Sequence, residues 1–216
     1  MNRPGRTWAG WAVLGVLLFA APGHALAPDG LALEYRVLRD GAEIGRHRVR
    51  FTHRDDLFIV ETEIRIAVTF LFVTLYRYQL DARETWRDGR LIALASTTND
   101  DGDRYRVAAV SNGETIAVEA GANSWTAPAT VVPSSLWRRD MARGTLLLGV
   151  EQGEPIAVAF DEVGRETVPA RGGEVEATHV VVSGELERDL WYDGDGILVH
   201  LRLVGRDGSN IVYLLE

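Results

Sequence analysis

The chain has 216 residues, with 31 acidic side chains against 23 basic ones, and a formal charge of −8. Every basic residue is arginine and cysteine is absent, which excludes Schiff-base and thiolate chemistry, disulfides, Cys-ligated metals and a lipidated cysteine anchor. The acidic excess disfavours nucleic acid and anionic membrane surfaces as partners.

The N-terminus reads as an export signal. Arg3 and Arg6 precede WAVLGVLLFAA, a run that fits the 7–15 apolar residues of a signal h-region. Gly23-His24-Ala25 supplies small residues at −3 and −1. Cleavage after Ala25 is preferred to cleavage after Ala27, which would leave Pro28 at +1. The run falls short of the ~20 residues of a membrane span, so residues 1–25 are expected to be removed and the mature chain to carry no transmembrane segment. Residues 26–216 then form a single β-rich domain, long enough to bury a sizeable core without disulfides. Export of such a cysteine-free domain points to a Gram-negative periplasm.

After the leader, turn dipeptides punctuate short alternating runs. Leu33, Tyr35 and Val37 alternate with polar neighbours; Asp40-Gly41 follows as a turn, and a second strand covers about 44–51. Farther on, RLIALASTT, RYRVAAV and TIAVEA are separated by NDDGD and SNGE. Asn-Gly and Asp-Gly suit tight hairpins because both residues tolerate positive φ. The last third repeats the pattern, and ETWRDGRLIAL echoes DLWYDGDGILVHL, each a hairpin with a tryptophan just before its turn. One helix is predicted in VPSSLWRRDMARG, with Ser134 or Ser135 as N-cap and Gly144 as the stop.

Residues 57–87 are the informative stretch. As one strand they would span on the order of 100 Å, too long for a domain of this size, so they must turn. Phe58, Val60, Thr62, Ile64, Ile66 and Val68 alternate with Glu61, Glu63 and Arg65; Tyr76, Tyr78 and Leu80 alternate with Arg77, Gln79 and Asp81. Alternation fails only over Phe70, Leu71, Phe72 and Val73. This predicts two amphipathic strands joined by an apolar bend, which either closes one end of the core or lines a cavity mouth or exposed patch.

No arrangement of chemistry-bearing residues stands out. His47, His53, His179 and His200 lack metal-ligand spacing. Asn99–Asp103 resembles the start of a calcium loop, but Val110 occupies the position of the bidentate Glu, leaving a hairpin turn. Ser134 and Ser135 lack a nucleophile elbow. Glu61, Glu63 and Glu84 are expected on solvated strand faces. No catalytic residue, cofactor or metal site is therefore expected.

YRVLRDGAEIG, ETWRDGRL, the Pro-Ser-Ser-Leu-Trp run and the closing LWYDGDGILVHL together resemble a bacterial family of exported proteins classed as a domain of unknown function. They are more distantly similar to periplasmic half-barrel proteins of the lipoprotein-localisation type (LolA/LolB-like). The resemblance implies a strongly curved antiparallel sheet whose concave apolar face, covered by a helix, can shelter acyl chains; it carries over no catalytic residue. The expected fold is thus mainly β, a curved antiparallel meander forming a half-barrel or barrel with one short helix. The first functional expectation is binding of an apolar or amphipathic, lipid-like ligand through Phe70, Phe72, Tyr76, Tyr78 and Trp137. The alternative is an envelope structural or assembly protein that makes a protein contact through the sheet edge or the 70–73 bend. An enzyme acting on envelope lipid or glycan ranks third.

Overall fold

The computed structural model describes residues 30–216, apart from the side chain of Phe70; the leader 1–25 lies outside the described residues. The strands are β1 (Ala32–Arg39), β2 (Ala42–Arg54), β3 (Leu57–Phe70), β4 (Val73–Arg87), β5 (Arg90–Asp100), β6 (Asp103–Ser111), β7 (Thr115–Ala120) and β8 (Asn123–Pro128), followed by β9 (Val132–Pro133), β10 (Leu146–Leu148), β11 (Pro155–Ala170), β12 (Gly173–Gly184), β13 (Arg188–Tyr192), β14 (Leu198–Val204) and β15 (Asn210–Leu215). They form one sheet in the order β8-β7-β6-β5-β4-β3-β2-β1-β15-β14-β13-β12-β11-β10-β9. Only the short β9–β10 ladder is parallel. The predicted curved antiparallel meander is therefore the observed architecture, and β1–β15 pairing joins the chain's two arms at mid-sheet.

Period-2 alternation gives the sheet one apolar face. Tyr35, Val49, Phe51, Phe58, Val60, Leu80 and Trp86 are all buried in one core cluster. The sheet curls around this face until its ends meet without a ladder. Trp125 on β8 donates its indole N–H to the Gly153 carbonyl at 2.7 Å, which bridges the β6–β8 side to the β10–β11 connection. Gly153 has φ +77°, and a Cβ there would stand 2.7 Å from the Ala120 Cβ. Gly153→Val is accordingly expected to cost at least about 2 kcal/mol, read as a fall in the denaturation midpoint.

Residues 129–151 thread the inside of this curl. Val131, Val132, Leu136, Trp137, Met141, Leu147, Leu148 and Val150 are buried in the same cluster as the wall residues. Polar bonds pin the segment to opposite walls. Ser96 and Thr98 of β5 donate to the Val150 and Glu151 carbonyls at 2.6 and 3.1 Å, while the Tyr192 hydroxyl on β13 donates to Leu136 O at 3.0 Å.

This segment corrects the helix prediction. Where a helix was expected from Ser134 or Ser135 to Gly144, only a 3-10 turn forms at Arg139–Met141. Leu136 has φ +46°, and the backbone bonds outward to the walls: Leu198 N–H to Trp137 O, Arg139 N–H to Gly196 O, Ser134 N–H to Leu148 O. Ser134 does not cap; its hydroxyl accepts from Val150 N–H at 3.1 Å. Leu136, Trp137 and Met141 each fill a separate part of the core, and an extended plug reaches farther than a helix of the same residues.

Beyond its β10 pairs at Pro155–Ala157, β11 has no strand on its outer side among the described residues. Asp161, Glu162, Arg165, Pro169 and a bulge at Glu162–Gly164 lie along that edge, the devices that keep open edges from pairing with other chains. Among the described residues, no helix is long and apolar enough to cross a membrane.

Candidate functional site

The β3–β4 hairpin organises both poles of the molecule. At one end Phe58 pairs with Trp86; at the other Phe70 pairs with Val73, about 40 Å away along the strand. The last β2–β3 pair is Gly45–Ile66 and the last β4–β5 pair is Tyr78–Asp100. Residues 67–76 therefore project from the sheet as a two-stranded ribbon, a finger about 15 Å long. Its turn is made by Leu71 and Phe72 at φ +45° and +71°. Two bulky residues hold the left-handed region that hairpin turns normally give to Asn and Gly, a costly backbone for residues of their kind.

The bend predicted at 70–73 is this turn, and it is neither core nor cavity wall. Leu71, Phe72, Val73 and Leu75 are exposed by 74, 101, 60 and 60%. Over residues 66–76 no side chain is charged. Behind the tip the tyrosines are anchored: Tyr76 donates to Asp100 Oδ1 at 2.6 Å and Tyr78 to Glu151 Oε2 at 3.0 Å. Burial, then the neighbouring carboxylates, push both phenols upward, so they serve as donors.

The five residues expected to share one concave surface are distributed over the length of the molecule. Phe72 is at the finger tip; Tyr76 and Tyr78 stand at the finger's base around Asp100 and Glu151. The backbone of Phe70 lies in the finger. Trp137 is on the plug at the opposite pole, buried against Phe51, Phe58 and Trp86 with ring centroids 4.9, 5.7 and 6.5 Å away.

That opposite pole holds a residue misplaced by the sequence reading. Glu84, expected on a solvated face, is 1% exposed. It is in phase with Leu80, Ala82 and Trp86, and the alternation carries it inward. Its Oε2 accepts from the indole N–H groups of Trp86 at 2.9 Å and Trp137 at 3.3 Å. Oε1 has no partner, nor has the buried Ser135 hydroxyl, which nevertheless stands near enough to favour the anion alongside the two indoles. Burial outweighs these donors and raises the carboxyl above its ordinary range. A protonated Oε1 facing Ser135 leaves neither group unpaired. Outside this layer an open cleft of about 1170 Å³ has Phe58, Trp86, Leu91 and Val131 at its floor and Asp55, Asp56, Asp88 and Asp140 at its rim.

A second polar cluster lies on the outer face. His179 is stacked on Trp191 at 4.4 Å and held between Glu166 and Asp189, each at 2.8 Å. Trp191 donates to Glu166 at 2.7 Å and Arg202 bonds Asp189 at 3.0 Å. These contacts fasten the β11–β12 hairpin over β13 and β14. Among the described residues, no group of His, Asp and Glu has metal-binding geometry.

The curled sheet and plug define a β-barrel-like protein. A solved structure of the same kind, a beta-barrel-like protein of the domain of unknown function DUF1849 from Brucella abortus, superposes with a TM-score of 0.57 at 11% identity, covering 86% of this chain and 94% of that one. At that identity the likeness is one of fold. The profile of the domain of unknown function DUF6134 matches residues 35–216, and the chain belongs to that family. No curated protein matches it.

Proposed function

We propose that this protein is an exported, non-catalytic contact module of the periplasm, and that the finger is its docking element. The observation that carries this reading is the uncharged ribbon 67–76, where the apolar side chains of Leu71, Phe72, Val73 and Leu75 face solvent. A two-stranded ribbon standing alone is marginal in water, and this one spends its turn residues on exposed Leu and Phe.

The occupant we infer is a protein groove, not a bilayer. Burying the four side chains contributes about 2 kcal/mol each. Both edges of the ribbon, however, carry unpaired N–H and C=O groups, on the order of eight in all, and each costs several kcal/mol in hydrocarbon. A protein can pair those edges while covering the side chains. The acidic surface also opposes anionic lipid.

Phe72→Asp is expected to leave the fold and its melting temperature within about 1 kcal/mol of wild type, since the side chain touches nothing, and to abolish co-purification of the bound partner. An unchanged partner after this substitution contradicts the reading; adsorption of the wild type, but not the variant, to neutral phosphatidylcholine vesicles redirects it to lipid.

A second reading, binding of an amphipathic ligand, is favoured by the mouth at the finger pole, where the inward-facing Tyr78 and Tyr213 are only partly buried. The plug restricts such a ligand to that mouth, and the lipoprotein-localisation likeness extends no further than it.

A further inference from the structure

Arg188 opens β13 opposite Val182, in phase with the fully buried Leu190 and Tyr192. It therefore faces inward, at the mouth on the finger pole. Its one hydrogen bond is a long one, Nη1 to Ser134 O at 3.4 Å, and among the described residues it has no ion-pair partner. Three groups in the same space also lack an acceptor or are already engaged. His47 lies between Tyr35, stacked at 5.0 Å, and Tyr213, edge-on at 5.7 Å, and its buried Nε2 has no partner. Burial, then Arg188, lowers His47 to about 3, so the ring is neutral and can present one N–H. The Tyr213 hydroxyl has no hydrogen bond among the described residues. Glu151, the nearest carboxylate acting on Tyr78 and Tyr213, is held by the Tyr78 hydroxyl at 3.0 Å.

A half-buried guanidinium gains from a counter-charge beside it, and here the neighbouring carboxylate, Glu151, is bonded to the Tyr78 hydroxyl and makes no ion pair with Arg188 among the described residues. We propose that this mouth binds an organic anion: a carboxylate or phosphate head meets the Arg188 guanidinium, assisted by His47 Nε2 and the Tyr213 hydroxyl, and a short apolar group lies against Ile64 and the tyrosine rings. Arginine suits either head because its planar fork makes paired bonds to both. The proposal rests on the ligand reading of the mouth and is independent of the finger.

Isothermal titration of the protein, purified as its exporting host processes it, with octanoate, octyl phosphate, inorganic phosphate and neutral octyl glucoside tests this. The expected result is saturable binding of an octyl anion, weakened at least about tenfold in Arg188→Met and partly restored in Arg188→Lys. His47→Phe, which keeps the ring stack and removes the N–H, weakens it as well. Inorganic phosphate binding as tightly as octyl phosphate assigns the site to free anions; a large preference for the octyl compound assigns it to an amphiphile. Binding of octyl glucoside as tight as that of the anions overturns the anion site while leaving a ligand at the mouth. Absence of all binding, or unchanged anion affinity in folded Arg188→Met, overturns it outright. Where Arg188→Met does not fold, Arg188→Gln serves the same comparison.

Discussion

Glu84→Gln is expected to fold as the wild type does and to be the more stable protein at neutral pH. The amide oxygen accepts from the Trp86 and Trp137 indoles, which bond one carboxyl oxygen at 2.9 and 3.3 Å, and the amide nitrogen donates toward Ser135, pairing the two groups left without a partner with no buried charge to desolvate. The sign of the pH dependence follows from the raised carboxyl. An unfolded Glu ionises near 4.5, whereas burial keeps the folded carboxyl protonated to higher pH. The stability tied to the protonated acid is fully present below about 4.5 and is lost as pH rises from there through the folded value. The gap between variant and wild type should thus be small at pH 4 and widen with pH, by at most about 1.4 kcal/mol per pH unit. Urea denaturation at several pH values checks this. Glu84→Leu should instead be destabilising, since it leaves two buried indole N–H groups unpaired at about 1–3 kcal/mol each.

The double substitution Leu71→Asn, Phe72→Gly should move stability and binding in opposite directions. Both positions have positive φ, which Asn-Gly adopts readily and branched or aromatic residues adopt at about 1–2 kcal/mol each. Removing that strain is expected to stabilise the hairpin by about 1 kcal/mol or more. The same change deletes the two most exposed apolar side chains, so docking at the finger should be lost. A turn that served only to connect β3 and β4 would gain stability and lose nothing; denaturation and partner co-purification on one sample separate the cases.

Much of the fold was legible because alternation and turn dipeptides are local signals. Asp40-Gly41, Asp88-Gly89 and Asp101-Gly102 all mark observed hairpins, and the charge-free break at 70–73 located a turn that has no Gly, Asn or Asp. The plug was misread because its helical signals, Ser134, Ser135 and Gly144, are equally satisfied by an extended chain whose backbone finds partners on walls distant in sequence. Glu84 was legible in principle: Leu80, Ala82, Glu84 and Trp86 share one parity, and its chemistry argued the other way. Arg188 had the same signal, in phase with Leu190 and Tyr192, and was hidden because nothing in a strand's sequence says which inward side chain is left without an ion-pair partner. Whether the apolar bend was core or surface could not be read at all, since it depends on the neighbouring strands β2 and β5 stopping short of it.

A photo-crosslinking amino acid at position 72, introduced in the exporting host, tests the finger most directly. The control places the same group at Thr97, on the exposed outer face of β5. A docking finger gives a discrete protein adduct at position 72 that is absent at position 97 and is competed by the wild-type protein but not by Phe72→Asp. Lipid adducts alone, or the same adducts at both positions, would contradict it.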